Sequence, residues 1–430
     1  MSAIENILGM LPDRVGDGKN SQIYTPPHIA KEMVNTLPED IWNKDTTFLD
    51  ICCKSGIFLY KIYQKLMESP SMQADFPDEI NRAKHIIHKQ LFGIAPSTFC
   101  QMFSTRTVYG YLDPESNIIS INEYELVMRN ADKTFLYKTL QKEFNTVKFD
   151  VVIGNPPYNN DAYLDFVTLG HQLSNKYTMM ITPAKWQAKG GAKNEAFRKD
   201  IVPYIKDITY YPEATDIFDI AESDGISYYL IGKEKGSSVS ITNKSDDIII
   251  FNNRQTYDTK NLTTISLLNV ANTIIKKLNN IPKINVMTNG KHKYFVAEAR
   301  MYGWGTERVK NGNRYHSCKC YTNELKYNVI SIPQVVEAKD INSLAKVRTL
   351  TFSCDSLDKC KSYVSFMESK LVKFLMLSAR IGTMVGGEAK RFVPAPEAFD
   401  HIFTDAELYE KYNLTQEEIN IIESVIKERK

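Results

Sequence analysis

The first half of the chain alternates short apolar runs with amphipathic stretches, a pattern that predicts strands followed by helices. A strand over 46–50 precedes a tight loop and a helix over 56–67, and a strand near 90–94 starts the pattern again. A less regular stretch is expected over 112–145. Alternation of this kind over residues 20–232 is typical of a doubly wound parallel sheet with right-handed crossovers.

A short apolar run at residues 151–153 leads directly into a double proline. Such a run is typical of a strand buried on both faces of a parallel sheet. The prolines must end it, because proline has no N–H for the ladder and its ring fixes φ. In open α/β sheets, ligands bind at the carboxyl edge of the strands. That edge is thus predicted to carry an amide, two rigid prolines and an aromatic ring: Asn155, Pro156, Pro157 and Tyr158.

The pattern changes near residue 235. Short β-like runs and scattered aromatic residues continue to about residue 395 without strand–helix alternation. The sequence therefore predicts two domains, residues 1–235 and a mixed α/β domain over 236–430. The second domain is expected to end in a helix that starts with a capping box of Thr415 and Glu418.

Composition is consistent with this division. A chain of 430 residues is longer than one hydrophobic core usually serves. It contains no run of eighteen apolar residues, and its first twenty residues carry charges, so we expect a soluble cytoplasmic protein without a membrane partner. The 7 cysteines are scattered, which favours a reducing compartment. Cys318 and Cys320 lack the usual zinc spacing, and no metal site is predicted.

Charge is unevenly distributed although the net charge is only +2. Residues 281–350 contain twelve Lys/Arg against five Asp/Glu, and residues 397–430 contain nine acidic against four basic residues. This asymmetry is compatible with a basic binding face and equally with a solvated surface.

The loop after the first predicted strand of the sheet is a candidate ligand site. It places Asp50 at the strand end and Ser55 and Gly56 before a helix N-terminus with free N–H groups. One glycine makes a poor phosphate cradle. The loop would suit a small zwitterion, with N–H groups for its carboxylate and Asp50 for its ammonium; the alternative is an ordinary strand–helix turn.

The Asn-Pro-Pro-Tyr turn suits chemistry on the exocyclic amine of a nucleobase, which is a poor nucleophile because its lone pair is delocalised. If the Asn155 side-chain oxygen and the Pro156 carbonyl accept the two N–H groups of this amine, its nitrogen is pushed towards tetrahedral geometry. The lone pair of the nitrogen then points out of the ring plane, towards an electrophile. The prolines hold these acceptors rigid, and Tyr158 offers a ring to stack on the base. The alternative is an ordinary proline-rich turn.

With these motifs the sequence resembles the γ-class DNA adenine-N6 methyltransferases of type II restriction–modification systems, which use S-adenosylmethionine. "YTPP", "LDICCKSGIFL" and "NPPY" occur in that order, before a large C-terminal domain. The resemblance implies an α/β fold: a doubly wound Rossmann-like methyltransferase sheet with a second mixed α/β target-recognition domain. It also implies double-stranded DNA as substrate and a cognate restriction endonuclease as a possible partner.

The resemblance implies roles for individual residues. Asn155, Pro156, Pro157 and Tyr158 correspond to the catalytic turn, and Phe218 is the candidate for a second aromatic on the other face of a flipped adenine. Eight residues correspond to cofactor-binding positions: Tyr24, Thr25, Pro26, Asp50, Cys52, Ser55, Gly56 and Ala95.

Two positions depart from the family pattern. Lys54 stands in a loop that is usually richer in glycine, and Ala95 stands where many relatives carry an acidic residue for the ribose hydroxyls. Lys54 is expected to alter the approach to the cofactor. With Ala95, the ribose is held by backbone groups or by another carboxylate, or cofactor affinity is reduced.

Chemistry on a DNA base requires that the base leave the stack, and its unstacking and unpairing cost a few kcal/mol. A second domain must recover this free energy through phosphate and base contacts. Residues 291–321 interleave basic and aromatic side chains. Arginines there could read guanine edges and lysines phosphates. The predicted DNA-contacting residues are Lys291, Lys293, Arg300, Arg308 and Arg314.

Other functions stay open. The chain could be a DNA-recognition subunit that keeps the fold without catalysis. Within the enzyme class, the alternatives are cytosine-N4 transfer and an RNA or protein substrate. Glu337 and Lys339 have the spacing of metal-dependent nucleases, but no upstream aspartate partners them.

Overall fold

The computed structural model describes most of the first 244 residues and several segments of the rest. The described residues are 14–15, 22–110, 115–187, 192–211, 214, 217–218, 225–244, 254–258, 269–278, 280–284, 292–299, 334–339, 348–378, 390 and 392–426.

A nine-stranded sheet is the centre of the fold, in the order β11-β10-β8-β9-β7-β6-β3-β4-β5. A separate two-stranded hairpin, β1 (Arg14–Val15) with β2 (Gln22–Ile23), precedes it in sequence. The sheet strands are β3 (Phe48–Asp50), β4 (Leu91–Ala95), β5 (Ile118–Ser120), β6 (Phe149–Gly154), β7 (Ser174–Pro183), β8 (Ile205–Tyr211), β9 (Ile226–Ile231), β10 (Ser238–Asn243) and β11 (Arg254–Asp258).

Strands β5, β4, β3, β6 and β7 pair in parallel, whereas β9 lies antiparallel between β7 and β8. The chain reaches β3 first and then builds outwards on both sides, so the strand order reverses between β3 and β6. This is the doubly wound arrangement that the alternating pattern predicts, and β9 at residues 226–231 is its antiparallel strand. Ligands bind at such a reversal point.

The apolar run that predicted β6 is completely buried. Val151, Val152 and Ile153 are each 0% exposed. Removing such a side chain from water contributes about 1.5 to 3 kcal/mol, which keeps this strand in the middle of the sheet.

Helices connect the parallel strands and cover the sheet. They are α1 (Pro27–Asn35), α2 (Ile57–Glu68), α3 (Pro70–Asp75), α4 (Glu79–His85), α5 (Thr98–Tyr109), α6 (Tyr124–Arg129), α7 (Thr134–Phe144), α8 (Ala162–Leu173) and α9 (Ala192–Ile201), with a π-helix at Ile86–Gln90 and 3-10 turns at Glu39–Ile41, Asn159–Asp161, Ala184–Gln187 and Val202–Tyr204.

The prediction of a less regular stretch over 112–145 is wrong for its described part. That part forms β5, α6 and α7. Leu136, Leu140 and Phe144 lie four residues apart on one face of α7 and are buried. The helical period is therefore present in the sequence, but it spans only three turns and is easily overlooked.

The described segments after β11 form a mixed α/β assembly. An antiparallel sheet has the order β13-β12-β14. Its strands and the accompanying helices are α10 (Asn269–Lys277), β12 (Tyr294–Ala299), β13 (Gln334–Glu337), β14 (Arg348–Cys354), α11 (Leu357–Glu368), α12 (Lys370–Ser378), α13 (Asp405–Lys411) and α14 (Gln416–Val425).

Helix α14 begins with the predicted capping box, in which Thr415 and Glu418 each bond the other's backbone N–H. Strands β10 and β11 lie after residue 235 but belong to the nine-stranded sheet, where β10 pairs with β8. The domain boundary at that residue stays a prediction. Among the described residues, no helix is both long and apolar enough to span a membrane.

Candidate active site

The loop after β3 and the turn after β6 lie side by side because their strands are neighbours in the sheet. The Ile51 N–H donates to the Ile153 carbonyl at 3.0 Å, so the ladder continues past the end of β3. Cys53 N–H donates to the Ile94 carbonyl of β4 at 2.9 Å. These two bonds fix the start of the loop against both neighbouring strands and place it beside the turn.

The turn itself passes from the core towards the surface. Asn155 and Pro156 are buried, and Pro157 and Tyr158 are partly exposed. The two prolines have fixed φ angles and contribute no N–H groups, so the carbonyl groups around them need not pair with a strand. The structure thus confirms the predicted position of the Asn-Pro-Pro-Tyr turn at the carboxyl edge of a central strand.

The Asn155 side chain is oriented by the N-terminal segment. Its Nδ2 donates to Thr25 Oγ1 at 3.1 Å, whereas its Oδ1 is buried and accepts no hydrogen bond from the described residues. An unsatisfied buried acceptor costs about 1 to 3 kcal/mol. Buried acceptors of this kind are usually satisfied by water, an ion or a ligand, so Oδ1 is a candidate acceptor for a ligand N–H.

A pocket beside this amide brings the predicted cofactor segments together. It lies between the residues after β2 and the loop after β3. Its lining consists of Ile23, Tyr24, Thr25, Asp50, Cys52, Lys54, Ser55, Gly56, Ile57, Phe58 and Asn155. Six of the eight predicted cofactor residues are among them.

The Asp50 carboxyl is a buried acidic group in the lining of this pocket, and the residue is only 1% exposed. Burial raises the pKa of its carboxyl to about 7, and the Cys52 N–H and the Lys54 charge oppose that rise. The Cys52 N–H donates to Asp50 Oδ1 at 2.9 Å. A carboxyl with such a pKa changes charge near neutral pH and can accept a cationic ligand group once it is ionised.

The cysteines of the loop are structural. Burial raises the pKa of the Cys52 thiol to about 12 and raises the pKa of Cys53 as well. Tyr124 donates to the Ile51 carbonyl and lies 3.1 Å from Cys52 Sγ. Because thiolates and not thiols are nucleophiles, these side chains hold the loop and do not attack a substrate.

Gly56 begins α2 with φ +77°, in the left-handed region. A Cβ there would lie 3.0 Å from the Ser104 carbonyl oxygen of α5, so only glycine permits this helix packing. Among the described residues no side chain caps the N-terminus of α2, and Ile57 and Phe58 line the pocket. The free N–H groups of that first turn can therefore receive a ligand carboxylate.

Two predicted cofactor residues lie outside the lining of the pocket. Pro26 precedes α1, where its carbonyl accepts the Ala30 N–H at 3.0 Å. Ala95 is 0% exposed and pairs with Ser120 of β5. The roles of both residues in cofactor binding stay predictions.

Phe218 lies against Tyr158. The two ring centroids are 6.4 Å apart at 70°, an edge-to-face contact, and Phe218 is 0% exposed. A base held between two rings would need them roughly parallel. The role of Phe218 as a second stacking face therefore stays a prediction, although its proximity to Tyr158 agrees with it.

One predicted DNA-contacting residue falls within the described segments. Lys293 is exposed, and its ammonium lies 5.1 Å above the Tyr294 ring. Its backbone N–H donates to Asp355 Oδ1 at 2.9 Å. The other predicted DNA-contacting residues lie outside the described residues: Lys291, Arg300, Arg308 and Arg314. Cys318 and Cys320 lie outside them as well.

Two contributors to the site were not predicted. Tyr124 follows β5, in the stretch expected to be irregular, and no motif marks it. Lys54 was noted only as a departure, yet its Nζ donates to the carbonyls of Ile23 and Asn155, both at 3.0 Å. A lysine in a loop otherwise made of small residues was the available signal.

The chain is similar in sequence to known proteins. The family described as N-6 DNA Methylase matches residues 3–214. An uncharacterized adenine-specific methylase of Mycoplasma pneumoniae is 28% identical over 53% of this chain and 70% of that protein.

Similar solved structures include two from restriction–modification systems. The type I methyltransferase subunit of Streptococcus thermophilus is 15% identical over 55% of this chain and 50% of its own, with a TM-score of 0.40. The Type ISP enzyme LlaGI, solved with a DNA substrate mimic, is 11% identical over 65% of this chain and 34% of its own, with a TM-score of 0.44. The chain thus spans half or less of the length of these two structures. Residues 3–214, just under half of the chain, thus match the N-6 DNA Methylase family, and the chain is similar to an adenine-specific methylase.

Proposed function

We propose that this protein transfers a methyl group from S-adenosylmethionine to N6 of an adenine extruded from double-stranded DNA. The observation that carries the proposal is the Asn155 amide, whose Nδ2 is held by Thr25 while its buried Oδ1 lacks a donor among the described residues. An exocyclic amine is the kind of donor that this oxygen lacks.

The residues around the pocket fit the cofactor's amino-acid part. The uncapped N-terminus of α2 suits a carboxylate, and Asp50 suits an ammonium when it is ionised. The cofactor supplies an electrophilic methyl group on a sulfonium. Ala95 carries no polar group for the ribose hydroxyls.

The transfer then needs placement and no nucleophilic side chain. Asn155 Oδ1 and the Pro156 carbonyl accept the two N–H groups of the amine, which turns its lone pair out of the ring plane. The prolines keep both acceptors fixed, so little reorganisation accompanies the reaction. Tyr158 is partly exposed and stacks on the base, and the proton released by the methylated amine passes to solvent.

A DNA contact surface in the C-terminal part belongs to the proposal as well. It is supported by the basic and aromatic composition of residues 281–350 and by the exposed Lys293. A cognate restriction endonuclease stays a prediction from the sequence resemblance.

The test is a modified-base sequencing readout of plasmid DNA from cells that express the chain. The wild type is expected to place N6-methyladenine at one defined motif, and Asn155→Ala is expected to leave the plasmid unmodified. Asn81→Ala, at an exposed position of α4, is the matched control and should act as the wild type. Methylation by Asn155→Ala at the wild-type level would overturn the mechanism. An unmodified plasmid from cells with abundant wild-type protein would overturn the activity and favour a recognition subunit.

A further inference from the structure

Lys54 joins two parts of the site that are far apart in sequence. Its Nζ donates to the Ile23 carbonyl, 31 residues before it, and to the Asn155 carbonyl, 101 residues after it, each at 3.0 Å. The first carbonyl belongs to the N-terminal segment that lines the pocket, and the second belongs to the catalytic turn. One ammonium therefore connects the pocket wall to the residue that carries the base acceptor.

Within the described part of the chain, this ammonium has no carboxylate partner. No Asp or Glu oxygen of the described residues lies within 4.0 Å of Nζ. Burial lowers its pKa, while the neighbouring Cys52, Asp50 and Cys100 oppose that change. Lys54 is partly buried and its two hydrogen bonds go to backbone carbonyls, which indicates that its position has a use other than ion pairing.

A second contact joins the same two parts. The Asn155 Nδ2 donates to Thr25 Oγ1, two residues beyond Ile23. Lys54 thus fixes the main chain of Asn155, and Thr25 fixes its side chain. Together they determine where Oδ1 lies, although neither of them carries the acceptor.

An ammonium has three N–H donors, and the described protein atoms use two of them. Lys54 also lines the pocket. The third donor is therefore available to an anionic group of a pocket ligand, such as the carboxylate of an amino acid.

We infer that Lys54 is a positioning residue that couples occupation of the cofactor pocket to the placement of the Asn155 acceptor. This inference rests on the proposed function. A carboxylate in the pocket accepts the third N–H of Lys54. The lysine in turn holds the Asn155 carbonyl, and the rigid turn then fixes the position of Asn155 Oδ1. Displacement of that oxygen by even a fraction of a bond length lowers the rate of transfer without removing any reacting group.

The test compares Lys54→Met, which removes donors and charge, with Lys54→Arg, which keeps both. Lys31→Met is the control, since Lys31 is exposed on α1. Single-turnover methylation is measured at saturating cofactor on a duplex that carries the wild-type motif. Its rate constant reports positioning, and its amplitude reports the fraction of folded, active protein. Cofactor affinity is measured by calorimetry, and fluorescence of 2-aminopurine at the target position reports extrusion.

Lys54→Met is expected to lower the rate constant by roughly 100-fold, with the amplitude and the extrusion signal unchanged. Lys54→Arg should recover a large part of that loss, and Lys31→Met should match the wild type. A wild-type rate constant in Lys54→Met would overturn the inference. So would a loss confined to amplitude or thermal stability, which is the result of a structural role alone. Failure of the proposed function looks different, because the wild type itself would then transfer no methyl group.

Discussion

The loop after β3 and the turn after β6 lie next to each other at the same sheet edge, but they are held in different ways. The loop is rich in ionisable groups, among them Asp50, Cys52 and Lys54, and burial shifts the pKa of each. The residues from Asn155 to Pro157 carry no ionisable side chain, and the Asn155 oxygen is left without a donor among the described residues.

This difference indicates a division of tasks between the loop and the turn, with Lys54 connecting the two. Charge in the loop suits a ligand that is itself charged, whereas neutral acceptors on a rigid turn suit an amine that must be oriented and not deprotonated in advance. If the division holds, pH should act on cofactor binding through Asp50, and substitutions in the turn should act on transfer.

The largest effect is expected at the turn. Asn155→Ala removes the side-chain acceptor, and we expect a loss of about 100- to 1000-fold in the transfer rate constant, as for other preorganised polar groups. Asn155→Asp keeps an acceptor and should lose less, although it gives up the bond to Thr25. Single-turnover kinetics with purified protein measures both variants. Equal losses in the two would show that the acceptor oxygen is not what matters.

Stacking at Tyr158 comes next. Stacking of a base on an aromatic ring contributes about 1 to 3 kcal/mol, so Tyr158→Ala should weaken retention of the extruded base by about 5- to 150-fold. Tyr158→Phe keeps the ring and serves as the matched control. The 2-aminopurine signal at saturating protein reports the difference. Normal extrusion in Tyr158→Ala would contradict a stacking role.

A pH dependence should separate the loop from the turn. The pKa of Asp50 is raised to about 7, and only the ionised form attracts an ammonium. Cofactor affinity should therefore rise as pH increases through about 7, by about tenfold per unit below that pKa, and then level off. Calorimetry from about pH 6 to about pH 8 tests this for the wild type. Asp50→Asn should bind weakly with no such rise, and a rise of the same size in that variant would exclude Asp50 as its source.

The smallest effect is expected at Thr25. Thr25→Val keeps the shape of the side chain but removes the closer acceptor of Asn155 Nδ2 and leaves the Ile23 carbonyl at 3.5 Å. A single hydrogen bond of this kind contributes about 0.5 to 1.5 kcal/mol. We expect the transfer rate constant to fall by about 3- to 10-fold. Thr25→Ser keeps the hydroxyl and should stay close to the wild type. A rate constant in Thr25→Val equal to that of Thr25→Ser would show that the amide is oriented by other contacts.

Local patterns in the sequence predicted the elements that position the site. The buried run before the prolines located β6, because a strand covered on both faces must be continuously apolar. The position of Asn155 then followed from the rule for sheet edges, and Asp50 and Gly56 followed from the strand–loop–helix pattern.

Contacts between distant segments could not be predicted in the same way. The bond from Lys54 to Asn155 joins residues 101 positions apart, and the bond from Asn155 to Thr25 joins residues 130 positions apart. The edge-to-face contact of Phe218 with Tyr158 also depends on tertiary packing. Hydrophobic period and turn chemistry describe neighbours along the chain, and they carry no information about which distant side chain fills a given gap.

The division between loop and turn is tested most directly by measuring cofactor affinity and saturated single-turnover rate on the same two variants. Asn155→Ala is expected to keep the wild-type affinity and lose transfer. Asp50→Asn is expected to lose affinity and, once the cofactor saturates it, to approach the wild-type rate constant. Parallel loss of both quantities in both variants would contradict the division and would show that loop and turn form one indivisible site.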